Sequence, residues 1–325
     1  MDYPFICFLL FQVLLAVYLL LDGFDLGTGI LTLFLKDEKK LSSALYAIWP
    51  YWNANEVWVL SAFVLLFAAF PPVFSTLLSS LYPGFFLLLA AVILRGVSLE
   101  YRERTATPAG RSAFTLLFGT GSLLAALVLG VAAGNIIGGF PPHASLVSMF
   151  RPFNLLTGLF SVLVLSWHGS RWLAMKAPGS LPDGVKLGSL AAGISAAVIF
   201  VILVFWAASA SPYFPEHSRS VPLCAMAVAS TVLCWALSFW TGTAGKNRAS
   251  FLFSSCAVLF CLVSSASAFY PVMAVSDPVL TAVNASADPR NMPVVMTIVL
   301  AGLPLAAFLN ITVYLLFRGG TPAKH

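Results

Sequence analysis

Apolar positions follow one another almost without relief through nine stretches, near residues 4–35, 50–72, 75–97, 113–137, 152–175, 187–209, 221–241, 249–270 and 293–317. Each holds the roughly 20 residues that a helix needs to cross about 30 Å of bilayer hydrocarbon. The pattern predicts an all-α polytopic membrane protein of nine transmembrane helices. "FPPVF" at 70–74 separates the second run from the third. Prolines end one helix and begin the next, so these two runs are expected to form a hairpin.

Composition agrees. Of 325 residues, 60% are hydrophobic and 9% charged, whereas about a quarter are charged in soluble domains. Charge placement then sets the orientation, because Lys and Arg of short loops stay on the cytoplasmic side. Loops after odd-numbered helices, with the C-terminal segment, hold Lys36, Lys39, Lys40, Arg95, Arg102, Arg104, Arg111, Arg171, Lys176, Lys186, Lys246, Arg248, Arg318 and Lys324, which is 14 of the 17 basic residues. The other side keeps Arg151, Arg219 and Arg290. A missed or invented helix would scramble that asymmetry, so the N-terminus is expected outside and the C-terminus in the cytoplasm. The same rule explains the net charge of +5 without a nucleic-acid partner. The opening "MDYPF" lacks a basic start and the first apolar run is too long for a cleavable signal, so helix one is expected to be retained. Five cysteines (Cys7, Cys224, Cys234, Cys256 and Cys261) lie inside apolar runs without CxxC spacing, which indicates neither a disulfide framework nor a zinc site.

Helices one and five both run inward and carry polar residues late in the run, "LLLDGFD" against "LSWHGSR". That suits two four-helix units in parallel repeat with a ninth helix added. Residues 1–138 would form the first bundle, 139–270 the second, and 271–325 an outer loop with the ninth helix.

An ionised carboxylate at mid-membrane costs about 3 kcal/mol even on lenient insertion scales, so intramembrane acids mark candidate sites. Asp22, Asp25 and Glu56 qualify. Asp22 and Asp25 differ by about 60° around a helix and share a face, and Gly23, Gly27 and Gly29 would let a neighbour approach that helix closely. Glu56 begins helix two on the same inner side. Arg95 and Arg171, at inner helix ends, are the nearest candidate counter-charges. The cluster reads either as a proton route from the cytoplasm or as a buried ion-pair network that holds helices together.

"WPYWNANEVW" at 49–58 sets Trp49, Trp52 and Trp58 among Asn53, Asn55 and Glu56. The tryptophans read first as an interfacial belt; the amides and the acid form a hydrogen-bonding patch at a helix start, either capping that helix or lining a polar path. In "LRGVSLEYRER" at 94–104, Arg102 and Arg104 read as ordinary inner-side charges, while Arg95 and Glu100 lie nearer the membrane and call for partners. His168 is the histidine within a span, with His143 and His217 in outer loops and His325 terminal. Haem held between helices needs a second axial ligand, so His168 reads as a hydrogen-bonded bundle residue first and a proton relay second. No metal site is indicated in this chain.

Taken together, "LDGFDLGTG", "WNANEVWVL", "LRGVSLEYR" and "LSWHGSRWLAMK", with "NASADPRNMPVVM" and "YLLFRGG" near the end, resemble subunit II of the cytochrome bd-type quinol oxidases. These pieces span the chain nearly end to end in the family's order. The resemblance implies two four-helix bundles plus one helix, in a bacterial cytoplasmic membrane, paired with a similarly built subunit I. Subunit I would carry haem b, haem d and the quinol-oxidising loop, and this chain no haem ligand. Its role would be to support that partner and help conduct cytoplasmic protons. A structural quinone and a small accessory subunit are compatible with the family. Asp22 and Asp25 match its paired acids, and Glu56 with Trp58 its "NEVW" element. Many relatives have Asp-Gly where this chain has Asn53-Ala54, and an amide cannot titrate in this range; Asn53 could line a proton route only as a hydrogen-bonding group. The rival reading is a proton-coupled secondary transporter, whose helices are usually interrupted near mid-membrane.

Overall fold

A computed structural model describes residues 2–140, 145–210 and 221–318. His143, His217, Arg219, Lys324 and His325 lie outside the described residues. The long helices are α1 (Tyr3–Thr32), α3 (Trp52–Ala69), α5 (Tyr82–Arg102), α6 (Pro108–Gly138), α8 (Pro152–Lys176), α9 (Asp183–Ala210), α10 (Val221–Thr243), α11 (Asn247–Phe269) and α12 (Met292–Leu316). Among the described residues, eight of these are long and apolar enough to cross a membrane. The exception is α8, 25 residues long, whose stretch includes Ser166, His168, Ser170, Arg171 and Lys176. Its polar groups are not turned to lipid: Ser166, His168 and Ser170 are buried where α8 packs against α1, α6 and α11.

Local sequence starts these helices in recognisable ways. Asp2 accepts a hydrogen bond from Phe5 N at 3.1 Å at the head of α1, and Thr107 accepts one from Gly110 N at 3.2 Å at the head of α6. Proline occupies the first turn of α1, α5, α6, α8 and α12, where its missing N–H costs nothing.

Two connections differ from the sequence expectation. "FPPVF" is not a simple hairpin turn, because Pro71 opens a ten-residue helix, α4 (Pro71–Ser80), and the third long helix begins only at Tyr82. Pro71 and Pro72 start a helix as readily as they stop one, and Pro83, within the apolar run 75–97, begins the next. The inner loop between the first two runs contains α2 (Glu38–Tyr46), capped by Asp37 accepting from Lys40 N at 3.0 Å. Arg102 lies under this helix. It is buried, pairing with Glu38 at 2.5 Å and with Glu103, and donating to Thr115 Oγ1 at 2.9 Å, so it is a tether for α2, α5 and α6 and not an ordinary exposed charge. A short helix, α7 (Leu146–Met149), precedes α8.

α1 is the pivot of the packing, touching α3, α6, α8 and α11. A Cβ added to Gly27 would lie 1.8 Å from the Leu165 carbonyl oxygen, and one added to Gly169 would lie 2.5 Å from Thr28 N. Only glycine at both positions allows α1 and α8 to cross backbone to backbone, as small residues do in membrane interiors. α9 and α11 adjoin α8, α10 packs on α11 and stacks its Trp235 on Trp167 of α8, and α12 lies against α3. At the end opposite α2, β1 (Val272–Ala274) pairs antiparallel with β2 (Leu280–Thr281). This loop reaches back over the helix ends, with Phe140 N donating to Val275 O at 3.1 Å and Ala287 N to Ala69 O at 2.9 Å.

Candidate functional site

The last third of α1, the first turns of α3 and the second half of α5 meet at the end of the molecule that carries α2. Asp22 and Asp25 are both fully buried on α1, and Arg95 of α5 is 1% exposed between α1 and α3. Its Nη2 lies 3.0 Å from Asp22 Oδ1 and its Nη1 3.3 Å from Asp22 Oδ2, a forked pairing that matches the planar guanidinium to the carboxylate. The same Nη1 reaches Glu56 Oε1 at 3.4 Å. One cation therefore serves two acids from two helices.

Asp25 is held differently. Asn55 Nδ2 donates to Asp25 Oδ2 at 2.8 Å and to the Leu21 carbonyl at 3.2 Å. Asn55 Oδ1 accepts from Tyr314 OH at 3.1 Å and Asn310 Nδ2 at 3.5 Å, both on α12. Asn310 also donates to the Ala54 carbonyl at 3.0 Å. Asp25 Oδ1 and Arg95 Nε are buried with no hydrogen-bond partner. Three carboxyls thus gather around one guanidinium that pairs with only two of them, and one oxygen of the third is left with an open hydrogen-bonding position.

An aromatic wall closes the side toward α8. Phe24 stacks on Trp172 with centroids 4.0 Å apart, Tyr51 meets Trp172 edge-on at 5.6 Å, and Tyr51 stacks on Tyr314 at 4.6 Å. Tyr51 OH donates to Phe317 O at 2.7 Å, and Lys176 Nζ donates to Phe317 O and Arg318 O at 3.0 and 3.2 Å. The cation satisfies free carbonyls at the end of α12.

Asp22, Asp25, Glu56 and Arg95 therefore come together as their sequence positions suggest. Asn53 does not join them: it is exposed on α3, while Asn55 occupies the inward face. Asn310 and Tyr314 were not singled out from sequence, and Asn55 was read only jointly with Asn53 as part of a hydrogen-bonding patch. Trp58 is buried, and Trp52 packs where a Cβ on Gly96 would lie 3.3 Å from its ring. Glu100 pairs with Arg104 one turn away. Arg171 pairs with no acid among the described residues and leaves the cluster to Arg95; its Nε donates to Ser170 Oγ at 3.2 Å.

His168 is fully buried, with Nε2 donating to the Leu20 carbonyl at 3.2 Å and Nδ1 hydrogen-bonded to Ser254 Oγ at 2.8 Å. It stacks on Phe251 at 5.1 Å. Both ring nitrogens are thus engaged, which does not fit an axial haem ligand. Among the described residues, no group of three or more His, Cys, Asp or Glu could hold a metal ion.

The family described as cytochrome bd terminal oxidase subunit II matches residues 3–317. The cytochrome bd-I ubiquinol oxidase subunit 2 of Escherichia coli K12 is 27% identical over 315 residues, covering 86% of this chain and 83% of that protein. The cytochrome bd ubiquinol oxidase subunit 2 of Bacillus subtilis is 29% identical, covering 96% and 94%. A probable cytochrome oxidase subunit 2 of Haemophilus influenzae is 35% identical over 65% of this chain and 60% of its own length. In three dimensions, the bd oxidase from Geobacillus thermodenitrificans aligns with a TM-score of 0.80 at 16% identity, covering 98% of each chain, which establishes a shared fold.

Proposed function

Because the chain belongs to the cytochrome bd terminal oxidase subunit II family, we propose that it is the haem-free subunit of a complex that oxidises quinol and reduces oxygen to water, and that its buried acids carry cytoplasmic protons toward that reaction. The redox groups, haem b and haem d, belong in this reading to subunit I; the closed hydrogen bonding of His168 supports that division. The spans number nine, α8 among them, with the N-terminus outside and the C-terminus in the cytoplasm of a bacterial inner membrane. Residues 1–138 and 139–270 form the two bundles, and 271–325 the outer loop and last helix. A small accessory subunit is compatible with this arrangement.

One observation carries the proton role: Asp22 and Glu56 share the single guanidinium of Arg95, while Asp25 beside them has only the Asn55 amide and its Oδ1 has no partner. A purely structural network would be expected to satisfy each lone pair, since a half-satisfied buried group is costly. Here an excess of carboxyls over cations can hold and hand on a proton, and Glu56, partly exposed, is the entry. Asn53 cannot titrate and lies outside the cluster, so the route uses Glu56 and the paired aspartates.

The substrate of two relatives, as their names state it, is ubiquinol; this complex is taken to use a quinol of that class. A cavity of about 240 Å³ between α1, α6, α8, α9, α10 and α11, lined by Leu129, Phe160, Phe200, Val228 and Val258, is apolar enough to accept the tail of a structural quinone.

The test is oxygen consumption by the purified complex. Asp25→Asn and Glu56→Gln should each slow turnover by about tenfold or more, as loss of a proton-transfer group does, while the haem absorption spectrum stays intact. Normal turnover in both would remove the proton role; loss of haem would make the cluster structural.

A further inference from the structure

Beyond the acid cluster, Arg171 is the charged group that the reading above leaves unused. It lines a cavity of about 510 Å³ among the ends of α8, α9, α10 and α11, with Ser170, Ser180, Lys186, Ser189, Thr243 and Asn247 as polar neighbours. Most of these neighbours are already engaged. Lys186 pairs with Asp183 at 2.9 Å, Ser189 donates to the Lys186 carbonyl at 2.8 Å, Thr243 donates to the Trp240 carbonyl at 2.9 Å, and Asn247 donates to the Ala174 carbonyl at 2.9 Å.

Two groups remain. Arg171 uses only Nε, on Ser170, and among the described residues Nη1 and Nη2 have neither a carboxylate nor a hydrogen-bond acceptor. Ser180 is 3% exposed, and its hydroxyl is buried with no partner. The guanidinium also has a built seat: a Cβ on Gly242 would lie 2.6 Å from Arg171 Nη1 and 3.0 Å from Ser250 Oγ. A half-buried cation without a counter-ion and a buried hydroxyl without an acceptor on the same cavity are both costly. One anion would relieve both.

We propose that this cavity binds a phosphate group, with the Arg171 guanidinium and the Ser180 hydroxyl as its donors. The free edge of an arginine presents parallel N–H bonds that match two phosphate oxygens, and a third oxygen can accept from a hydroxyl. The volume exceeds a bare phosphate, leaving room for what the phosphate is attached to. It opens at the end of the molecule that holds most of the basic residues, so the phosphate comes either from an inner-leaflet phospholipid or from a soluble phosphate compound.

The purified oxidase complex, stripped of lipid by detergent exchange, tests this by thermal melting at constant ionic strength. The probes are inorganic phosphate, short-chain phosphatidylglycerol and, as control, chloride. Either phosphate probe should raise the melting temperature of the wild-type complex, and Arg171→Gln should weaken its apparent affinity about tenfold, the effect of losing a charge-assisted pair. Protection by phosphatidylglycerol alone identifies a lipid; protection by inorganic phosphate alone, a soluble ligand. Should Arg171→Gln fail to assemble, Ser180→Ala and Gly242→Ala take its place, the first removing the hydroxyl and the second displacing the guanidinium; both should weaken binding. No protection of the wild type by either probe, or equal protection of wild type and variants, overturns the proposal.

Discussion

Arg95 faces two carboxylates at once, so its removal leaves charge behind. Arg95→Met strands Asp22 without a counter-ion, which for a buried pair costs about 3–5 kcal/mol, and the complex should fail to accumulate in membranes. Adding Asp22→Asn removes the stranded charge and should restore much of the yield, read by haem absorbance; no recovery would mean that Arg95 matters through packing. Asn55 offers a second contrast. Asn55→Leu takes from Asp25 its 2.8 Å donor and from Tyr314 and Asn310 their shared acceptor, so the complex should lose about 1–3 kcal/mol and melt earlier. Asn53→Leu, at an exposed position, should stay within about 0.5 kcal/mol. The acids and Arg95 were legible in the sequence because charge in an apolar run has few places to go. The asparagines were not told apart, although helical geometry separates them: Asn55, Trp58, Ala62, Leu65, Leu66 and Ala69 form the buried stripe of α3, and residue 53 lies about 200° around the helix from residue 55. Asn310 and Tyr314, one turn apart on α12, repeat that spacing and could have been found by it. Which helix they would meet could not.

Among the elements, the crossing of α1 and α8 decides whether the two halves of the chain can close. Gly27→Ala would place a methyl 1.8 Å from the Leu165 carbonyl oxygen, and Gly169→Ala one 2.5 Å from Thr28 N. The obstacle is backbone, not a side chain that could rotate away. Each substitution should therefore push the helices apart and cost at least about 1–3 kcal/mol, the usual penalty of overpacking. By contrast, Gly188→Ala, with open space around its added Cβ, should leave melting unchanged or raise it slightly through better helix propensity. The long helices could be marked from apolar run length, since lipid demands it. α2 and α4 could not: α2 is nine residues with three lysine and glutamate positions at its start, and α4 hides inside a run whose prolines read as a stop. In both cases, tertiary contacts, such as Arg102 beneath Glu38, complete what local propensity leaves marginal.

At the scale of the whole molecule, everything said of protons depends on which face of the membrane the acid cluster adjoins. The cluster lies at the end of α1 that leads into α2, and the two-stranded loop lies at the other end; the basic residues gather on the former, 14 of 17 by the sequence assignment. Labelling can decide the matter with little background, because Cys7, Cys224 and Cys234 are buried and Cys256 and Cys261 half-buried. Val283 in the β-loop is 67% exposed, and Lys39 at the start of α2 is exposed. A membrane-impermeant maleimide, applied to cells whose inner membrane is intact, should modify Val283→Cys and leave Lys39→Cys untouched until the cells are lysed. The reverse pattern would put Asp22, Asp25 and Glu56 on the outer side. The same three carboxyls could then release protons outward but could not draw them from the cytoplasm, and slowed turnover in Asp25→Asn would have to be reassigned to an exit path.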